Sequence, residues 1–182
     1  MTVRRADRDA ERGPSDPFRV LATLDRHGVD HVVIGGWAVI AHGSTRTTND
    51  IDFVASPETE NLKRLASALK DLKAELWGVD AHLLGIQLDA QTFASGANFT
   101  LTTDAGGVDY FNEVPGGVPY EQLRERALRT EVRGVPVTVA AVDDLVRMKR
   151  AAGRPRDIQD LALLTELQAG ESDPLIRRGS PT

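Results

Sequence analysis

The order in which glycine and aspartate follow two short β-rich runs constrains this chain more than any other feature. His31-Val-Val-Ile34 stops abruptly at Gly35-Gly36, and the apolar stretch Trp37 to Ala41 behind it reads as a buried helix ending near Gly43. The pattern is strand, glycine turn, helix. A second strand follows at Asp50-Ile-Asp-Phe-Val54. Because side chains alternate across a strand, Asp50 and Asp52 point to one face roughly 7 Å apart while Ile51 points into the core.

That spacing carries chemistry. Two hard anionic ligands converging on one spot suit magnesium, which takes one or two carboxylates, keeps several waters and shares substrate phosphate oxygens. A nucleotide is the substrate this implies. Gly35-Gly36, after a strand and before a helix, supply bare backbone and a helix N-terminus where phosphate can approach. Each signal alone is weak, since glycine pairs usually mark turns and acidic pairs at strand ends are more often solvated or capping. Their order gives them meaning: the glycine turn, the short helix, Arg46-Thr-Thr-Asn49 and then the acidic pair bring a phosphate cradle and a metal site onto adjacent strands.

The remaining elements frame this centre. Asp16 and Pro17 read as N-cap and first residue of a helix carrying Phe18, Leu21 and Leu24 up to Gly28. Pro57 and Glu58 open a second helix, whose stripe of Leu62, Leu65, Leu69 and Leu72 should cover one sheet face. Residues 74–96 give no firm assignment. Phe99 to Thr103 and Val108 to Asn112 flank the turn Asp104-Ala-Gly-Gly107 as a β-hairpin or two consecutive strands, with Asp109 on the second arm. Tyr120 to Thr130 has helical composition, Val135 to Val139 is a strand, and Val142 to Ala152 and Arg156 to Leu167 are helices separated by Gly153-Arg-Pro155.

At 182 residues the chain suits one domain. Its expected extent is 16–168, between a charged tail over 1–15 and a proline- and glycine-containing tail over 169–182. With 41% hydrophobic and 27% charged residues it has an ordinary globular composition, so a real core is expected. The lack of cysteine rules out disulfides and zinc-thiolate sites, and no long apolar run suggests a membrane span, so a cytoplasmic protein is the expectation. A net charge of -5 argues against broad electrostatic coating of nucleic acid. A local basic patch does stand at Arg147, Lys149, Arg150, Arg154 and Arg156.

The compound pattern Gly35-Gly-Trp-Ala38, His42-Gly43, Arg46-Thr47-Thr48 and Asp50-Ile-Asp52 resembles the AbiEii-type toxins of the polymerase-beta nucleotidyltransferase superfamily. The resemblance continues through Gly107-Val-Asp109 to Asp144-Leu-Val-Arg-Met-Lys149, Gly153-Arg154, Asp157 and Asp160, covering about residues 30–165. It implies an α+β fold, a mixed α/β sheet of the polymerase-beta type with flanking helices and a C-terminal helical portion. It also implies that Asp50, Asp52 and Asp109 hold magnesium, two ions in all, with a nucleoside triphosphate as donor. Gly35, Gly36, Arg46, Thr48, Lys149, Arg154 and Asp157 are then the nucleotide-binding residues, with Lys149 also counted among the catalytic ones. Many members of the wider superfamily carry Gly-Ser where this chain has Gly35-Gly36, so backbone amides replace a hydroxyl contact.

Several of these residues also have plainer readings. Asp109 can be a turn-flanking surface acid, Arg147 to Arg156 a solvated helix face, and Arg46 a loop buttress. His42 reads as structural and Trp37 as core packing. Two functional classes stay open. One is an enzyme moving a nucleoside monophosphate onto a hydroxyl of RNA, tRNA-like for instance, or of protein, as the toxin of a pair with an antitoxin protein. A small-molecule nucleotidyltransferase of the antibiotic-modifying kind is the variant of this class. The other is an inactive nucleotide- or partner-binding module, including a structural partner with an apolar surface in 74–96.

Overall fold

The computed structural model describes residues 15–78 and 85–171. The greater part of both expected tails and Leu83 and Leu84 of the unassigned segment lie outside the described residues. In chain order the elements are α1 (Pro17–Arg26), β1 (His31–Ile34), α2 (Gly35–Ala41), β2 (Asp50–Ala55), α3 (Thr59–Asp71), β3 (Glu75–Leu76), α4 (Ala90–Phe93), β4 (Phe99–Thr103), β5 (Gly106–Phe111), α5 (Tyr120–Arg126), β6 (Leu128–Val132), β7 (Val135–Val139), α6 (Val142–Ala152) and α7 (Pro155–Glu171). The strands form one mixed sheet in the order β3-β4-β5-β2-β1-β7-β6.

β1, β2 and β5 are buried along nearly their whole length, as strands covered on both faces must be, and they occupy the middle of the sheet. β2 runs antiparallel to β1 and parallel to β5, while β7 runs parallel to β1. Odd and even residues of β2 therefore serve different layers. Phe53 packs with His31 and Tyr110 on the layer away from the acids, and Tyr110 in turn meets Phe93 and Phe99. The leucine stripe of α3 is buried as its period requires, and α1 and α3 pack on each other and on β2.

Local chemistry explains the helix ends. Asp16 accepts a hydrogen bond from the Arg19 amide at 3.2 Å and Pro17 occupies the first turn of α1. α6 carries Asp143 and Asp144 in its first turn and stops at Gly153, whose φ of +60° closes the helix in a left-handed cap. Arg126 of α5 pairs with the buried Asp144, which joins α5 to the start of α6.

The hairpin expected around Asp104-Gly107 forms as β4 and β5. The helix expected from Tyr120 to Thr130 ends instead at Arg126, and Leu128 to Val132 becomes edge strand β6, hairpinned to β7 through Arg133 and Gly134 at φ of 52° and 80°. Within the unassigned 74–96 segment the structure places β3 and the single turn α4. Among the described residues no helix is long and apolar enough to cross a membrane.

Candidate active site

The sheet register assembles the acidic centre. Asp52 lies directly opposite Asp109 in the parallel pair of β2 and β5, and Asp50 lies opposite Gly107. Register partners in a sheet share a face, and so do residues two apart on a strand. Asp50, Asp52 and Asp109 therefore stand on one face of two adjoining strands, at 2%, 3% and 6% exposure. Three carboxylates at such burial are costly unless a cation compensates them.

The glycine turn fits against this group with no space to spare. At the end of β1, Ile34 is the register partner of Asp52, so the chain entering α2 passes over that carboxylate. A Cβ on Gly35 would fall inside the Asp52 side chain, 2.6 Å from its Cγ and 2.8 Å from its Cβ, and Gly35 adopts φ of +64°. A Cβ on Gly36 would collide with the Arg46 guanidinium and come within 3.0 Å of the Thr48 hydroxyl oxygen. The two glycines thus divide the site: Gly35 faces the acids, Gly36 faces Arg46 and Thr48.

The donor set fits a magnesium ion. Carboxylates on a rigid double strand beside bare backbone are what such an ion and the phosphate it neutralises need. Among the described residues no three acidic or imidazole groups already close into a ligand cage. An ion that keeps waters and draws ligands from substrate phosphate does not require one.

The basic stretch contributes from α6 and from the turn between α6 and α7. Lys149 and Arg154 line a cleft with Gly35 and Asp52, together with the apolar residues Ile34, Phe111, Pro115, Leu145 and Met148. Lys149 is not a solvated base. It is 5% exposed, with Nζ 3.1 Å from Asp157 Oδ1 and 2.5 Å from Asp160 Oδ2. Asp157 also accepts from the Arg154 amide at 3.1 Å and from Arg154 Nε at 2.9 Å. Burial pushes the Asp157 carboxyl upward, but the hydrogen bonds from Arg154 and Lys149 outweigh it and hold it below the ordinary carboxylate range. Arg46 reaches the same network, with Nε 3.0 Å from Asp160 Oδ1.

His42 and Trp37 do other work. His42 Nε2 bonds to the Ala140 carbonyl at 2.8 Å, tying the end of α2 to the chain between β7 and α6. Trp37 meets Phe18 edge-on with ring centroids 5.4 Å apart. The apolar lining of the cleft carries no motif in the sequence. Phe111 could have been found from its position, since it follows Asp109 by two residues on one strand and so shares its face.

A mixed sheet carrying Asp-x-Asp on its middle strand, a third carboxylate on the parallel neighbour and a glycine turn over the first pair defines a nucleotidyltransferase fold. The chain belongs to the family described as nucleotidyltransferase of unknown function (DUF6036), whose profile matches residues 18–168. The fold is also that of the antibiotic-resistance factor ANT(2'')-Ia in solution, at TM-score 0.57 and 15% identity over 89% of this chain and 87% of that one. The lincosamide antibiotic adenylyltransferase LnuA, in its lincomycin-bound crystal structure, matches at TM-score 0.54 and 14% identity over 82% of this chain and 94% of its own. A search of curated protein sequences finds no match.

Proposed function

We propose that this protein transfers a nucleoside monophosphate from a nucleoside triphosphate to a hydroxyl group, at the face formed by Asp50, Asp52 and Asp109. The observation that carries the reading is the register of Asp52 against Asp109 beneath Gly35. Asp50, Asp52 and Asp109 would hold the magnesium ions, which when bound neutralise the phosphate oxygens and the charge of the departing pyrophosphate. Asp109 accepts the proton of the incoming hydroxyl as its oxygen bonds to the α-phosphorus. The bond from that phosphorus to the bridging oxygen breaks and pyrophosphate leaves. The backbone at Gly35 and Gly36 lets the phosphate chain approach closely, Arg46 and Thr48 flank it, and Lys149 and Arg154 supply positive charge from the cleft wall.

The apolar lining that Phe111 and Pro115 give the cleft favours a small organic acceptor, and the likeness in fold to an antibiotic-resistance factor and a lincosamide antibiotic adenylyltransferase supports the same choice. A second reading, an RNA or protein hydroxyl as acceptor in a toxin neutralised by an antitoxin, is favoured by the resemblance of the motif order to that of AbiEii-type toxins.

The test is transfer from α-labelled nucleoside triphosphates, each base in turn, with magnesium. Total RNA, total cell protein and a panel of hydroxyl-bearing small molecules serve as acceptors, beside Asp52→Asn. Label in a small-molecule product that the variant lowers at least a hundredfold is expected. Label in RNA or protein would transfer the assignment to the second reading, and equal label with the variant would sink the carboxylate site.

A further inference from the structure

We infer that Asp160 is a positioning residue that aims the phosphate-binding cations. This rests on the transfer reading above and adds to it a residue that does not itself touch substrate. Asp160 belongs to α7 and is 3% exposed, yet its two oxygens serve two other segments. Oδ1 lies 3.0 Å from Arg46 Nε, in the connection between α2 and β2, and Oδ2 lies 2.5 Å from Lys149 Nζ on α6. Arg46 stands over Gly36, and Lys149 lines the cleft beside Gly35. One carboxylate therefore sets the position of a cation against each half of the glycine turn.

The contacts are close but not saturated. Neither Arg46 Nε nor Asp160 Oδ2 makes an aligned hydrogen bond, although both atoms are buried. Arg46, Lys149 and Arg154 are gathered around the two acids Asp157 and Asp160. An anionic ligand would accept from the guanidinium and ammonium donors that Asp160 holds in place. Asp157 has a different task, since it gathers the Arg154 amide, the Arg154 side chain and Lys149 around the turn between α6 and α7. Neutralising Asp160 would leave Lys149 with Asp157 but would release Arg46, whose long planar fork binds phosphate well only when it is held in place.

The experiment is equilibrium titration of the full chain, with magnesium, against inorganic tripolyphosphate and the α,β-methylene analogues of ATP, GTP, CTP and UTP, which resist cleavage at the transferred phosphorus. Wild type is compared with Asp160→Asn, Asp160→Glu and Arg46→Gln. Asp160→Asn is expected to weaken tripolyphosphate and the preferred analogue at least tenfold, Asp160→Glu to recover most of the loss, and Arg46→Gln to reproduce it. In turnover, KM for the triphosphate rises at least tenfold while kcat moves less than threefold, a split that general loosening of the fold would not produce. Wild-type affinity in folded Asp160→Asn overturns the inference. If that variant does not fold, Arg46→Gln decides, because Arg46 is partly exposed, and unchanged binding there overturns it equally. A wild-type protein that binds none of these ligands removes the transfer reading and this inference with it, whereas wild-type binding with an indifferent Asp160→Asn removes only the role of Asp160.

Discussion

Replacing Gly35 with alanine adds one methyl group, and its consequences can be worked out from the contacts at the turn. At φ of +64° an L-residue pays about 1–2 kcal/mol for the left-handed conformation. The new Cβ would lie 2.6 Å from Asp52 Cγ and 2.8 Å from Asp52 Cβ, where non-bonded carbons prefer about 3.5–4.0 Å, so the carboxylate or the turn must shift by roughly 1 Å. Overpacking of that kind costs about 1–3 kcal/mol. The expected destabilisation is thus about 2–5 kcal/mol, and a 1 Å displacement of the carboxylate proposed to hold the metal would lower turnover on the order of a hundredfold. Gly153 is the matched control. It has φ of +60° with nothing within 4 Å of the added Cβ, so Gly153→Ala carries the backbone cost alone. Urea denaturation of both variants, with triphosphate turnover measured on Gly35→Ala, checks the argument. Equal destabilisation of the two variants, or wild-type turnover in Gly35→Ala, would refute the close approach of Asp52 to the turn.

Two further predictions rest on buried charges. Lys149→Met should destabilise by about 3–5 kcal/mol because it leaves Asp157 and Asp160 buried without their shared cation. Adding Asp157→Asn should return part of that loss, and denaturation midpoints that simply add would refute the pairing. His31 is buried with Nδ1 bonded to the Val29 carbonyl at 2.8 Å, and burial lowers its pKa despite that bond. The unfolded chain takes up a proton below about pH 6.5 while the folded one resists. Stability is therefore full above that pH and falls on acidification towards the lower folded value, by at most about 1.4 kcal/mol per pH unit. Asp144 acts with the opposite sign, because burial raises its carboxyl despite Arg126. Urea midpoints of wild type and His31→Phe between pH 5 and 7.5 test this, with a flatter profile expected for the variant.

The elements that build the site were legible because local pattern and tertiary need agree there. β1 ends where Gly35 must turn, β2 presents alternate residues to alternate faces, and α6 stops at a glycine with left-handed φ. β6 was not legible. It lies at the sheet edge with its side chains largely solvated, so it lacks the period-two apolar signal of a half-buried strand, and its turn places the non-glycine Arg133 at positive φ. β3 and α4 are too short to show any period. Long-range pairing was the other gap. Sequence placed Asp109 on a strand, but only the parallel register sets it against Asp52, and nothing local announces that Asp160 meets Arg46.

The register of β2 against β5 also governs how the protein assembles. Asp50 and Asp52 come together as soon as β2 extends, whereas Asp109 joins them only after α3, β3, α4 and β4 have been laid down and the parallel pair closes. Closing such a non-local pair is slow, and here it also forces a third carboxylate beside two others. The seam between these two strands thus brings like charges together as the sheet closes, and a ligand bridging it would stabilise the native sheet by about 2.7 kcal/mol at a hundred times its dissociation constant.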